Sequence, residues 1–226
     1  MIKFYPDGYP FIIVSLLITC IVTVLFLSFV KLSTYNVTFY ILLLTSCFMI
    51  VTTVFMVFFF RDPERSIPEG EGLFVSPADG KVILIKDVFE KEHLKSDVKE
   101  ISIFMSLLDV HVNRAPCDGV VSMVKYSPGK FIAAYKDDAS IKNENIVMVL
   151  DCQESHIIVR QVAGIIARRA VCKVKAGDIL KRGERYGMVK FGSRLDMYLP
   201  KDTNIKVTLG EKVKAGETVI GVRGKE

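Results

Sequence analysis

Charge is almost absent from the first 60 of the 226 residues, where only Lys3, Asp7 and Lys31 carry it. No charged side chain falls between Gly8 and Val30, and none between Leu32 and Phe60. Each run exceeds the roughly 20 apolar residues that take an α-helix across a bilayer core. That excludes a simple soluble protein and a disordered chain, and two runs are too few for a multi-span transporter. A cleavable secretory leader is not expected, because a leader has one short apolar stretch before a small-residue cut site. Histidine is scarce: His93, His111 and His156 show no metal-ligand spacing, so no metal is expected. Cys20, Cys47, Cys117, Cys152 and Cys172 contain no C-x-x-C pair, and an odd count without a framework fits a reducing compartment. The basic excess is small, 30 Lys and Arg against 25 Asp and Glu, and no basic-aromatic motif accompanies it, which argues against a nucleic-acid partner.

What is there begins with the apolar runs. Residues 1–60 read as a transmembrane hairpin with spans at about 9–30 and 37–60, both chain ends on one side. Lys3, Arg61 and Arg65 flank the outer ends, whereas Lys31 alone lies in the turn. Positive charge collects on the cytoplasmic side, so the rest of the chain is expected at the cell (inner) membrane, facing the cytoplasm. A hairpin lying in the interface is the alternative. Residues 61–72, RDPERSIPEGEG, are rich in Pro, Gly and charge and read as a linker.

From residue 73 to 226 the pattern is that of a mainly β domain, antiparallel and barrel-sandwich-like, with minor α. Period-2 alternation recurs at Ile101, Ile103 and Met105 and again at Ile205, Val207 and Leu209, with Gly and Pro turns between such runs. Residues 86–97, dense in charge, are expected to form a short surface helix or a loop. Lys173–Asp178 reads KVKAGD and Lys212–Glu217 reads KVKAGE, 39 residues apart. The pair is similar to the repeated hairpins of lipoyl and biotinyl carriers, although V-x-x-G-[DE] is also common turn chemistry. A non-catalytic carrier reading would place its lysine at Lys175 or Lys214. Neither has the Met-Lys-Met surroundings of a biotin carrier.

The segment Tyr186–Pro200, YGMVKFGSRLDMYLP, carries the most information. Read as one strand, Val189, Phe191, Ser193, Leu195, Met197 and Leu199 share a face, and Lys190, Gly192, Arg194, Asp196 and Tyr198 take the other. A lone hydroxyl thus turns inward among apolar neighbours, behind a glycine. Glycine inside a strand marks a bulge or a close approach, and a buried hydroxyl needs a partner. A serine bonded to backbone at a bulge would satisfy both.

Other segments add to this one. FGSR follows GIIARRAV at Gly164–Val171, with SPADG at Ser76–Gly80 and DVHVNRAP at Asp109–Pro116. In that order, from about Phe60 onward, these resemble the phosphatidylserine decarboxylases in their short form with an amino-terminal hydrophobic segment. The resemblance implies an inactive proenzyme that cuts itself between Gly192 and Ser193. The Ser193 hydroxyl would attack the Gly192 carbonyl to give an ester, and β-elimination would release the upstream chain. The dehydroalanine left behind would hydrolyse to a pyruvoyl group. The products would be a β chain, 1–192, and an α chain, 193–226, that stay together as a heterodimer. The resemblance also implies an Asp-His-Ser set, with His111 as base for Ser193 and Asp79 as the group that orients it. In longer relatives a second histidine stands where this chain has Arg114, which puts proton handling on one histidine or gives Arg114 an electrostatic share.

The implied reaction is decarboxylation of phosphatidylserine to phosphatidylethanolamine and carbon dioxide. The pyruvoyl ketone would form a Schiff base with the substrate amine and accept the electrons that the carboxylate leaves behind, with no pyridoxal phosphate. His111 is the expected proton donor. Arg168 and Arg169, with Lys173, Lys175, Lys181 and Arg182 nearby, are candidates to meet the lipid phosphate, or are a solvated face. Arg114 and Arg194 complete the candidate substrate-binding set. A decarboxylase of an ether-linked lipid with the same head group stays open, as does further oligomerisation.

Overall fold

The computed structural model describes residues 3–32, 36–134, 139–152, 155–164, 169–190 and 193–224, and its contacts divide the chain into two units, Met1–Glu64 and Arg65–Glu226. In the first unit, helices Tyr9–Leu32 and Val37–Phe59 form from the two charge-free runs. Both are long and apolar enough to cross a bilayer. Asn36 starts the second by accepting a bond from the Phe39 amide at 3.1 Å. Between the helices the apolar runs conceal a ladder of hydroxyls. Thr19 bonds Thr53 at 2.8 Å and the Met49 carbonyl at 3.1 Å, and Thr23 meets Ser46 at 3.1 Å. In lipid, such bonds and close packing hold helices together where the hydrophobic effect cannot. Backbone bonds from Tyr5 to Phe60 and from Asp62 to Lys3 close the open end.

The second unit is mainly antiparallel β, as expected, with one curled sheet and two small ones. The large sheet runs in the order Lys212–Val213, Gly80–Glu90, Ser96–Met105, Ser193–Pro200, Ser155–Ala163, Asn145–Cys152, Gly119–Ser127 and Ile179–Leu180. A second sheet sets Arg185–Lys190 between Val112–Arg114 and Arg169–Cys172. The third sets Val219–Val222 between Leu73–Val75 and Asn204–Ile205. Apolar alternation places Ile101, Ile103, Met105, Leu195, Met197 and Leu199 in one core cluster with Leu150 and Ile157.

Two expectations change. Residues 86–97 form neither helix nor simple loop: they are the tip of the hairpin Gly80–Glu90/Ser96–Met105. Glu90 makes the tight turn possible by accepting from the amides of Glu92, His93 and Leu94 at 3.1, 2.7 and 2.6 Å. Burial would raise its carboxyl pKa, but these amides outweigh burial and hold it below the ordinary value. The stretch Tyr186–Pro200 is likewise two strands, not one. The chain leaves the second sheet at Lys190 and enters the large one at Ser193. Each half finds hydrogen-bonding neighbours that a continuous strand could not reach.

The KVKAG repeat belongs to a wider set of turns. In 175–178, 181–184, 208–211 and 214–217 the fourth residue, an acid, donates its amide to the first residue's carbonyl at 2.9–3.2 Å. The third is glycine with φ between 78° and 94°, the left-handed region that a type II turn demands there. Each of these glycine amides bonds a neighbouring strand or loop at 2.8 Å, reaching Val121, Ala115, Val82 and Ser76 in turn. The cysteine reading changes too: Cys117 and Cys152, 35 residues apart, are joined by a disulfide, a pairing that the spacing did not show and that departs from the expectation of unpaired thiols in a reducing compartment.

The turns predict a graded response to alanine. Gly177 has open space around it, so Gly177→Ala adds only backbone strain and lowers unfolding free energy by about 1–2 kcal/mol. Gly183→Ala must also displace the Ile67 side chain and costs more, measured by denaturant unfolding of both variants.

Candidate active site

Ser193 opens its strand opposite Met105 on one side and Ala163 on the other, and it is fully buried. Its side chain lies on the core face that Leu195, Met197 and Leu199 share. There Oγ donates to the Met105 sulfur at 3.3 Å, its one side-chain hydrogen bond among the described residues. A thioether is a weak acceptor, so this hydroxyl is taken out of water without a strong partner among the described residues.

His111 is equally buried. Its carbonyl accepts from the Val189 amide at 3.3 Å, which fastens it to the strand leading toward Ser193. Its Nδ1 lies 3.0 Å from the Asp109 carbonyl. A carbonyl only accepts, so Nδ1 carries a proton here, and in the neutral tautomer Nε2 carries the lone pair.

Asp79 occupies the turn between Ser76 and Gly80. Arg65 Nη2 donates to both its oxygens, at 2.9 and 2.7 Å, and the Ala215 amide donates to one of them at 2.8 Å. Burial raises the Asp79 carboxyl above its ordinary pKa; the Ala215 amide and the Arg65 charge pull it back, and the Asp109 charge adds to the rise. The bonds of Asp79 therefore run to Arg65 and Ala215. Asp109 acts on both candidates, on Asp79 through its charge and on His111 through its carbonyl.

With this geometry in view, a family model described as phosphatidylserine decarboxylase matches residues 52–221. The chain belongs to the phosphatidylserine decarboxylase family. A phosphatidylserine decarboxylase proenzyme from Syntrophus aciditrophicus is 52% identical over 173 residues, 76% of this chain and 81% of the relative. One from Geotalea uraniireducens is 42% identical over 217 residues, 96% and 94% of the two chains. A third, from Geobacter sulfurreducens, is 49% identical over 178 residues, 78% and 81%.

The remaining candidates of this decarboxylase divide by place. Gly192 and Arg168 lie outside the described residues. Arg169 is exposed and pairs across strands with Lys190, the residue that immediately precedes the segment 191–193. Arg114 is buried and donates from Nη1 to the Gly183 carbonyl at 2.9 Å. Arg194 lies on the opposite face of the strand from Ser193. It is 2% exposed, donates from Nε to Asp196 at 2.5 Å and from Nη2 to Ser102 at 2.7 Å, and lies 3.6 Å from Glu100. Asp196 also accepts from Ser140 at 2.7 Å. Both faces of this strand are thus buried, one apolar and one ionic.

Several residues around Ser193 escaped the sequence reading. Gln161 donates to Asn113 at 2.8 Å and to the Val171 carbonyl at 3.2 Å, and Asn113 points its amide at the same Met105 sulfur, 3.9 Å away. Asn143 ties the loop at Ile132 to the Ala163 carbonyl through its amide at 2.8 and 2.7 Å. Gln161 had a signal: it sits between Val159 and Ala163 on a core-facing position. A cleft of about 880 Å³, lined by Gly70–Phe74, Cys117, Asp118, Cys152 and Arg223 among others, lies elsewhere. It includes Ser155, whose strand reaches Ser193 only at Ala163, roughly 26 Å away by strand rise. Its cations are engaged, Arg223 by Asp202 and Arg182 by the Gly70 carbonyl. The site at Ser193 is the better candidate, since chemistry and not volume marks it.

Arg194→Met would leave Asp196 charged, buried and short of its main partner. The expected loss is about 3–5 kcal/mol of stability, read by denaturant unfolding. A raised KM with unchanged unfolding would instead assign Arg194 to the substrate.

Proposed function

We propose that this chain decarboxylates phosphatidylserine to phosphatidylethanolamine and carbon dioxide, as a proenzyme that cuts its own Gly192–Ser193 bond and takes its pyruvoyl group from Ser193. The observation that carries this reading is the Ser193 hydroxyl, buried at the head of a central strand with a thioether as its only acceptor among the described residues. A hydroxyl so placed is available to a base and costs little to redirect. His111 is that base, its Nδ1 held by the Asp109 carbonyl so that Nε2 can take the proton. Asp79 is the carboxylate that supports His111, its charge favouring the imidazolium that forms. The cut gives a β chain, 1–192, and an α chain, 193–226, within a catalytic domain of residues 73–226.

The surroundings of Ser193 suit the group. A pyruvoyl group is smaller than the serine it replaces, and its neighbours Met105 and Ala163 are apolar and fully buried. The group supplies an electron-accepting ketone that no ordinary side chain offers. Around it His111 supplies the proton for the substrate Cα, and burial of His111 and Ser193 keeps bulk water out. Arg169, with Arg168 beside it in sequence, meets the lipid phosphate, and Arg114 adds positive charge to the histidine segment. The helices Tyr9–Leu32 and Val37–Phe59 anchor the enzyme at the membrane where its substrate resides, and the excess of flanking cations supports a catalytic domain on the cytoplasmic side of the cell membrane.

Intact mass spectrometry under denaturing conditions tests the reading. Two chains meeting at Gly192/Ser193, the smaller with a blocked start, are expected for the wild type, and a single inactive chain for Ser193→Ala. An active preparation of one uncut chain would overturn the pyruvoyl mechanism. His111→Ala is expected to cut very slowly, and normal cutting would remove His111 from the base role.

A further inference from the structure

Four turns of this fold share one design, and one of them breaks it. In the turns at 175–178, 181–184 and 208–211 the closing acid bends back on its own turn: Asp178, Glu184 and Glu211 each accept from the amide of the first residue, at 2.9 Å every time. In the turn at 214–217 the closing acid, Glu217, does not. The Thr218 hydroxyl takes over its local task, accepting from the Lys214 amide at 2.9 Å. Glu217 points instead at residues 65 and 66, accepting from the Ser66 amide at 3.3 Å and from Arg65 Nη1 at 3.5 Å. The other terminal nitrogen of the same guanidinium grips both oxygens of Asp79. The Ala215 amide, from the middle of that turn, completes the hold on Asp79 at 2.8 Å.

A planar guanidinium bridging two carboxylates fixes distance and angle at once, which a lysine ammonium cannot do. The Arg65 side chain is 7% exposed and that of Asp79 13%, so the pair lies in surroundings where charge is costly without a partner. Arg65 lies in the segment read from sequence as a mere linker, yet it reaches a residue 14 positions on and another 152 positions on.

We infer that Arg65 is a positioning residue of the self-cleavage site, holding the Asp79 carboxylate in place and charged so that it can support His111. This rests on the proposed roles of Asp79 and His111. The charged groups that face Asp79 are Arg65 from the segment before the domain, Asp109 from the histidine turn, and Glu217 across the guanidinium, with Lys214 3.8 Å from Glu217. Asp109 opposes ionisation of Asp79, as burial does, and Arg65 is the cation that counters both. Removing that cation moves the Asp79 carboxyl further up, so a smaller fraction is charged at any given pH and cutting needs a more alkaline medium.

The test follows cutting of the full-length chain, made by cell-free synthesis into lipid vesicles, over a pH series. Wild type, Arg65→Gln, Arg65→Lys and Asp79→Asn are compared. Arg65→Gln is expected to cut about tenfold or more slowly near neutrality, to shift the acid limb of the profile to higher pH, and to recover in alkali. Arg65→Lys, which keeps the charge without the fork, is expected to restore the position of the limb and part of the rate. Such rescue would not occur in a chain that had merely failed to fold. Wild-type cutting by Arg65→Gln beside a slow Asp79→Asn overturns the inference alone. Equal slowing of Arg65→Gln and Arg65→Lys at every pH overturns it too, since that is the mark of a structural brace. Wild-type cutting by Asp79→Asn overturns the role of Asp79 itself, and the inference falls with it.

Discussion

A β-strand hydrogen-bonded along both edges keeps its place even when the backbone just ahead of it is severed. Ser193–Pro200 is such a strand. It pairs with Ser96–Met105 from Ser193 through Pro200 and with Ser155–Ala163 from Ser193 through Tyr198. Ser193 is therefore held by neighbours and not by the residue before it. The proposed cut just ahead of Ser193 would need this arrangement, because the reactive group would be the loose end of a chain and yet have to stay where it was made. A single ladder bond contributes only about 1 kcal/mol net, so two full ladders and two buried faces are needed for rigidity.

The two faces of that strand divide the work. On one, Leu195, Met197 and Leu199 enter the main core, and the Ser193 hydroxyl finds itself among apolar groups. On the other, Arg194 and Asp196 form a buried pair braced by Ser102 and Ser140. The apolar face keeps water from the head of the strand, and the ionic face fixes its register, because a slip of one residue would send both charges into the core. Tyr198 belongs to the second face; burial, and after it the charge of Asp196, pushes its hydroxyl well above the usual tyrosine range, so it stays a neutral donor to Glu100 at 3.3 Å.

The glycine-acid turns explain how so short a chain builds three sheets. Each closes locally and also lends its glycine amide to a distant strand or loop, so one sequence unit makes a turn and a tertiary contact together. The diverted turn at 214–217 shows how little change converts such a unit from scaffold to site: a threonine after the acid frees the carboxylate for another partner.

Much of this was legible from residues alone, and for clear reasons. Charge-free runs can only be apolar helices, period-2 alternation can only bury one face of a strand, and ordered motifs around Asp79, His111 and Ser193 mark a family because their chemistry allows few substitutes. Local sequence also determined that glycines 177 and 216 would sit in tight turns, since no other residue enters that conformation cheaply. It could not tell that Tyr186–Pro200 divides between two sheets, because alternation has the same period on either side of the switch. Nor could it show that Arg65 belongs with Asp79 and Glu217, or Cys117 with Cys152. Those partnerships join residues separated in the chain, and only the way the strands fold together decides which side chains meet.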